Sequence, residues 1–350
     1  MSAVATASNG LTRLRDRARL GAGLERILGS AILLGLIVWV VANFAKDAGQ
    51  TFATLLSGVS NGALYALIAL GYTMVYGIIE LINFAHGDLF MLGTVVSANI
   101  LINWLGVHTA GLQGLGGLLI SMVLAMIFCS LLNVGTEFIA YRRLRNAPKL
   151  APLITAVGFS FIFQDIGLIT NGSAAKTWPL NYQVGPVFRG VYFYNLIITI
   201  AITAPLLLLM TWIVTKTRQG KAMRAVASDQ DGARLMGINV NRTISFTFAL
   251  GGALAGAAGA LYIYTHATNN YNLGLRLGLI AFTAAVLGGI GNLVGAVLGG
   301  LLIGIIEALN DGAPYGFGQQ WTETVIFTIL ITLMVFKPEG ILGRRTTEKV

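Results

Sequence analysis

Ten apolar segments follow one another along the chain with short connections, and that repetition constrains the fold more than any other feature. They cover residues 27–45, 51–79, 89–105, 115–138, 152–171, 191–214, 243–265, 277–291, 294–310 and 321–336. A helix rises 1.5 Å per residue, so about 20 apolar residues cross the hydrocarbon of a bilayer. Only 11% of the 350 residues are charged, against about 25% in an average soluble domain. A soluble core of this size could not be given a charged shell, which excludes an ordinary cytosolic enzyme and a disordered chain. The 44 glycines follow no three-residue period, which excludes collagen. The expected fold is an all-α polytopic membrane protein of about eight to ten transmembrane helices, some short or broken.

Charge placement predicts the sidedness. With an inside N-terminus, ten crossings bring four basic clusters to the cytoplasm: the arginine-rich start, Arg142/Arg143/Arg145/Lys149, the run from Lys216 to Arg242, and the tail with Lys337, Arg344, Arg345 and Lys349. Nineteen of the 23 lysines and arginines then lie inside. Lys46, Lys176, Arg189 and Arg276 lie outside, a strong positive-inside bias. Both termini are therefore expected in the cytoplasm. The net charge of +9 reflects topology, not nucleic acid.

No small-residue cleavage site follows the basic start, so 27–45 reads as a retained helix, not a signal peptide. The domains expected are a basic segment 1–26, an extra helix 27–45, a transmembrane domain 46–345 and a tail 346–350. The loop at 172–190 carries Trp178, Pro179, Tyr182, Pro186 and Phe188, which read as interface anchors or as a docking face. Cys129 stands alone, so no intrachain disulfide can form, and three scattered histidines disfavour a zinc site.

Three stretches carry chemistry. In the first, Asn61, Tyr65, Thr73, Tyr76, Glu80, Asn83, His86 and Asp88 recur inside an apolar run, with Phe84 among them. Polar groups at membrane depth are costly, so they line a pathway or satisfy one another in packing; both readings stand. Gly71, Gly77 and Gly87 suggest a broken helix there. The second stretch runs from Ala281 to Asn292, and Gly288-Gly289-Ile290-Gly291-Asn292 suggests another break. It faintly echoes the first, Phe282-Thr283 against Tyr72-Thr73, as paired broken segments of transporters do. The candidate path residues are Asn61, Tyr65, Thr73, Tyr76, Asn83, Phe84, His86, Asp88, Thr283 and Asn292.

The third stretch, 215–242, has the patterning of short amphipathic helices and a glycine stop at Gly237. Either it is a solvated loop or it meets a partner. Small residues at Ala227, Ser228, Gly232 and Ala233 would allow close approach, with Asp229, Asp231 and Arg234 at the rim.

No catalytic constellation is evident, and Gly220-Lys221 lacks the rest of a phosphate loop. Asp165, Glu137, Glu307 and Asp311 are further acids at or near membrane depth. Glu307 and Asp311 are one turn apart and would share a helix face.

At these stretches the chain resembles the branched-chain amino acid permease family of bacterial ABC importers, its H-type membrane subunit. The resemblance rests on Tyr65 to Ile79, on Ile82-Asn83-Phe84-Ala85-His86-Gly87-Asp88, on Ala281 to Gly291, on Gly237-Ile238-Asn239, and on Lys337 to Arg344. It implies a multi-pass inner-membrane permease for leucine, isoleucine and valine that is not itself an enzyme. The implied partners are a homologous M-type permease, two cytoplasmic ATPases that bind ATP and magnesium, and a periplasmic solute-binding protein. No cofactor is implied in this chain. Ala227, Ser228, Asp229, Gly232, Ala233, Arg234, Gly237, Ile238 and Asn239 would form the contact to the ATPase. Related permeases carry urea or short amides. Outside the family, a proton-coupled carrier would use Glu80, Asp88 or Asp165, and a membrane-embedded enzyme is a third reading.

Overall fold

The computed structural model describes residues 35, 37–81, 83–108, 112–145, 147–148, 150–179, 187–189, 191–337 and 339–343. The basic start 1–26, most of 27–36, Lys149, Tyr182, Pro186, Arg344, Arg345 and the tail 346–350 lie outside the described residues.

Each of the ten apolar segments contributes a helix. In chain order these are α1 (Ile37–Lys46), α2 (Ala48–Ile79), α3 (His86–Asn99), α4 (Leu112–Thr136), α6 (Leu150–Asn171), α7 (Phe193–Lys216), α10 (Val240–His266), α11 (Leu273–Gly288), α12 (Leu293–Gly312) and α13 (Thr322–Phe336). Between them lie the short α5 (Arg142–Leu144), α8 (Arg218–Ser228) and α9 (Gln230–Leu235). Among the described residues eight helices are long and apolar enough to cross a membrane. α11, with 16 residues, and the described part of α1 are shorter. α3 and α4 each run on through a wider π turn, Ile100–Trp104 and Glu137–Tyr141.

Two small strand pairs are not foreshadowed by the apolar pattern. β1 (Lys176–Thr177) pairs with β4 (Thr268–Asn269), and β2 (Val187–Phe188) pairs with β3 (Val191–Tyr192). They correct the reading of Trp178 as an interface anchor. Trp178 is buried, its indole N–H donates to Asn269 Oδ1 at 3.2 Å, and Lys176 lies over its ring. The pairing of β1 with β4 draws it inward.

The core forms around α2, α3 and α10, whose inner faces approach through small residues. Gly58 and Gly62 of α2 meet Gly300, Leu301 and Gly304 of α12, where an added Cβ would lie within about 3 Å of backbone atoms. Gly252 and Gly256 of α10 meet Ala125 and Cys129 of α4, and Gly259 meets Gly93 of α3. In lipid no hydrophobic force drives helices together, so this close approach and its dispersion contacts hold the bundle. The outer faces of α4, α6, α7 and α13 are instead exposed and apolar, with Leu131, Ile154, Leu208 and Val335 among many. Such surface belongs against hydrocarbon.

Basic residues separate to opposite ends of the bundle. At one end Arg142, Arg145 and Arg234 gather beside Ile79 and Leu81. At the other, Arg189 pairs with Asp47, the N-cap of α2, and Lys46 reaches the Pro314 carbonyl.

Candidate functional site

The first helix break falls between Gly77 and Gly87, next to Asn83. α2 runs unbroken through Gly71 and Gly77 and ends at Glu80, whose φ of 53° is left-handed. Gly71 and Gly77 themselves stay within the helix. Gly71 instead leaves room for the His86 imidazole, which an added Cβ would meet. The break takes in Glu80, Leu81 and Asn83 to Ala85 among the described residues, and α3 restarts at His86.

Asn83 is the centre of this break. Its carbonyl accepts from the Tyr141 hydroxyl at 3.1 Å and its amide donates to Asn133 Oδ1 at 3.3 Å. Asn133 in turn donates to the Phe248 carbonyl at 2.7 Å. Three buried groups from α4, its π turn and α10 thus fix the chain where helical hydrogen bonding stops, as buried polar groups require.

His86 and Asp88 lie behind the break, fully buried. His86 stacks edge-on against Tyr72, with ring centroids 4.7 Å apart. The Ile68 backbone lies beside it, and neither ring nitrogen closes a hydrogen bond. Asp88 Oδ2 accepts from Ser160 and, at 3.5 Å, from Gln164 on α6, while Oδ1 has no partner.

The second break lies where the glycine cluster predicts. α11 stops at Gly288, Gly289 and Gly291 take φ of 103° and 90°, and Asn292 caps α12 by accepting from the Gly295 N–H at 3.0 Å. The Asn292 amide donates to the Leu342 carbonyl, and the N–H groups of Ile341 and Leu342 satisfy the Leu287 and Gly288 carbonyls. Thr283, also buried, bonds back to the Leu279 carbonyl of its own helix at 2.9 Å.

The two breaks meet across one narrow pocket. Thr73, Tyr76, Leu81 and Asn83 line it from the first side, and Phe282, Ala285 and Ile290 from the second. Phe84 packs on Phe282 with centroids 6.2 Å apart. The structure therefore brings together Thr73, Tyr76, Asn83 and Phe84. It holds His86, Asp88 and Thr283 in the packing behind them and uses Asn292 as a cap. Asn61 and Tyr65 sit further toward the other end. Asn61 lines a separate recess with Glu307 and Asp311, which do share a face, and Tyr65 lies near Glu307. Asp165 is exposed.

Asn133, Tyr141, Ser160 and Gln164 are absent from the sequence-derived set. An amide at 133 and another at 164, inside apolar runs, were the available signals. Among the described residues no group of three or more His, Cys, Asp or Glu converges to hold a metal ion.

The family described as the permease component of branched-chain amino acid transport systems matches residues 54–335, a span that contains both breaks and the pocket between them. The chain belongs to this family. It is 40% identical over 304 residues to the high-affinity branched-chain amino acid transport system permease protein BraD of Pseudomonas aeruginosa, covering 85% of this chain and 97% of BraD. It is 38% identical to LivH of Salmonella typhimurium and to LivH of Escherichia coli, each over 85% of this chain and 96% of the relative. The protein is thus a transport permease of the membrane.

The permease carries its patterned loop at the same end as the breaks. Thr217 caps α8 by accepting from the Gly220 N–H, and Asp229 caps α9 by accepting from the Asp231 N–H, both at 3.0 Å. α9 closes on Gly237: its N–H reaches the Arg234 carbonyl and the Ile238 N–H reaches Ala233, with φ of 79° at the glycine. This double closure needs a left-handed residue and explains the glycine. Asn239 then caps α10, accepting from the Arg242 N–H.

The surface this loop presents differs from the small-residue face expected. Ala233 is buried against the permease itself, and Gly232 sits against the Asp229 carboxylate. Ala227 and Ser228 are exposed, as is the Asp231–Arg234 ion pair. Beside them Leu235 and Met236 are 88% and 84% exposed, the most open large apolar side chains of this loop. Both belong to the apolar pattern of the loop, which does not tell which of its residues pack and which stay open at the end of α9.

Proposed function

We propose that the permease forms one wall of the translocation path of an ATP-driven importer for leucine, isoleucine and valine in the bacterial inner membrane. Its transmembrane domain would be 46–345, with the loop 215–242 as the contact to the motor and both termini in the cytoplasm. Partners would be a homologous M-type permease, two cytoplasmic ATPases holding ATP and magnesium, and a periplasmic binding protein. The cargo reading rests on the similarity to BraD and LivH, whose printed names carry branched-chain amino acid transport.

The observation that supports the mechanism best is the narrow pocket shared by the two breaks. A continuous helix is rigid, whereas two broken segments facing one gap can shift by rotations at few residues. Thr73, Tyr76 and Asn83 would give polar groups to the passing solute, and Phe84, Phe282 and Ile290 apolar ones. The exposed Leu235–Met236 tip of α9 would seat in a groove of the ATPase, and the Asp231–Arg234 pair would orient it at the rim. Because α9 also stands beside Arg145 and Asn241, displacement of this helix would reach the end of the bundle that holds the breaks.

The test is reconstitution of the permease with its partners in liposomes. Leucine uptake should require ATP and loaded binding protein, and isoleucine and valine should compete while urea and acetamide do not. Uptake of urea, or leucine uptake driven by a proton gradient without ATP, would overturn the reading.

A further inference from the structure

A second, larger pocket opens beside the first break, and its lining is chemically mixed. Ile79, Leu81 and Ile244 contribute apolar surface. Arg142, Arg145 and Arg234 contribute guanidinium groups. Its cavity volume is about 240 Å³, just under the roughly 300–1,000 Å³ of drug-sized ligand sites, as suits a solute as small as an amino acid. Leu81 lines both this pocket and the narrow one between the breaks, so the two spaces adjoin.

The arginines are held in place and not fully neutralised. Glu137, completely buried in the π turn after α4, accepts from Arg142 Nε and Nη2 at 3.3 and 3.1 Å and from Arg145 Nη2. Ser245 donates to the same carboxylate and accepts from Arg142. Arg145 Nη1 donates to Asn241 Oδ1 at 2.6 Å, while its Nε is buried with no partner. Two guanidinium groups thus share one carboxylate. Arg234 has its own partner, Asp231. One positive charge is left over in a preorganised, partly buried setting. That favours a carboxylate, and the apolar residues in the same lining suit an aliphatic side chain.

We propose that this pocket is a release subsite for the outgoing amino acid, taking its carboxylate at Arg142 and Arg145 and its aliphatic chain against Ile79, Leu81 and Ile244. The inference rests on the cargo reading above. A solute leaving the narrow pocket past Leu81 meets the arginines next, and Arg234 and Gln230 bring α9 to the rim. Movement of α9 would then open the subsite to the cytoplasm.

The test uses inside-out membrane vesicles of the assembled transporter carrying Cys129→Ser and Gln230→Cys, labelled with an impermeant maleimide. A site with a Kd of about 1 mM is about 90% filled at about 10 mM leucine, so labelling should slow about tenfold. Leucinol, which lacks the carboxylate, and inorganic phosphate, which lacks the aliphatic chain, should leave the rate unchanged. Arg145→Gln should remove the protection by leucine. Where that variant does not accumulate, Arg234→Gln, at an exposed rim position, should weaken it. Labelling indifferent to leucine, or slowed equally by phosphate, overturns the subsite; the latter result assigns the pocket to phosphate groups of lipid or nucleotide. Leucine transport by liposomes holding the Cys129→Ser transporter separates the two readings. If they transport leucine while labelling is unprotected, the subsite alone fails. If they transport none, both fail.

Discussion

The break at 80–85 is closed by side chains, whereas the break at 289–292 is closed by backbone. At the first, Asn83, Asn133 and Tyr141 supply the hydrogen bonds that the interrupted helix lacks. At the second, two left-handed glycines turn the chain, and N–H groups of residues 341 and 342 take up the freed carbonyls. The two breaks lie at one end of the bundle and share one pocket, so the difference is not one of location. A side-chain clamp can be released by rotation about a few χ angles. A glycine turn threaded by the tail cannot be altered without moving the tail. The comparison therefore casts the first break as the part able to move and the second as its fixed counterpart.

The largest effect should come from disturbing the fixed side. In Gly289→Val the new Cβ would lie 2.7 Å from the Gly343 Cα and 2.9 Å from the Glu339 carbonyl oxygen, at a φ that side chains avoid. Strain plus backbone displacement should cost about 3 kcal/mol or more. Folded yield in detergent should collapse. Wild-type yield and thermal midpoint would show that the turn is not rigid.

A smaller loss is expected at the mobile side. Asn83→Leu strands the buried Tyr141 hydroxyl and the Asn133 carbonyl, at about 1–3 kcal/mol. The permease should still accumulate while transport per folded molecule drops strongly. Equal losses of abundance and transport would mean that Asn83 serves packing alone.

The smallest effect belongs to Asn292→Ala. It removes one N-cap bond and one tether to Leu342, about 1 kcal/mol. The thermal midpoint should fall slightly with uptake retained. A loss of uptake as deep as that of Asn83→Leu would erase the distinction between the two sides.

These contrasts show what was legible in the sequence. Helix existence and approximate limits follow from apolar runs of bilayer length, because hydrocarbon admits little else. The second break was legible because clustered glycines with an Asn cap have a local meaning. The first was legible as a polar block among glycines 71, 77 and 87, although Gly71 and Gly77 stay helical, since a helix in a bundle tolerates glycine where a neighbour, here His86 at Gly71, fills the space. Polar residues in apolar runs lead to the region of the first break. The division of that region, with Asn83 at the pocket and His86 and Asp88 behind it, depends on Tyr72, Ser160 and Gln164, the last 76 positions from Asp88. Spacing along one helix carries no record of such partners. Leu235 and Met236 belong to the apolar pattern of the loop, but that they stay exposed at the end of α9 is likewise a tertiary fact.

The claim that the two breaks together gate the path is tested most directly by tying them across their shared pocket. Leu81 and Ile290 line it from opposite sides, so a Leu81→Cys/Ile290→Cys pair in a Cys129→Ser background can be joined by a short cleavable thiol crosslinker. In liposomes containing the assembled transporter, the crosslink should abolish ATP-driven leucine uptake, and cleavage should restore it. Unchanged uptake with the pair quantitatively joined would contradict the gate.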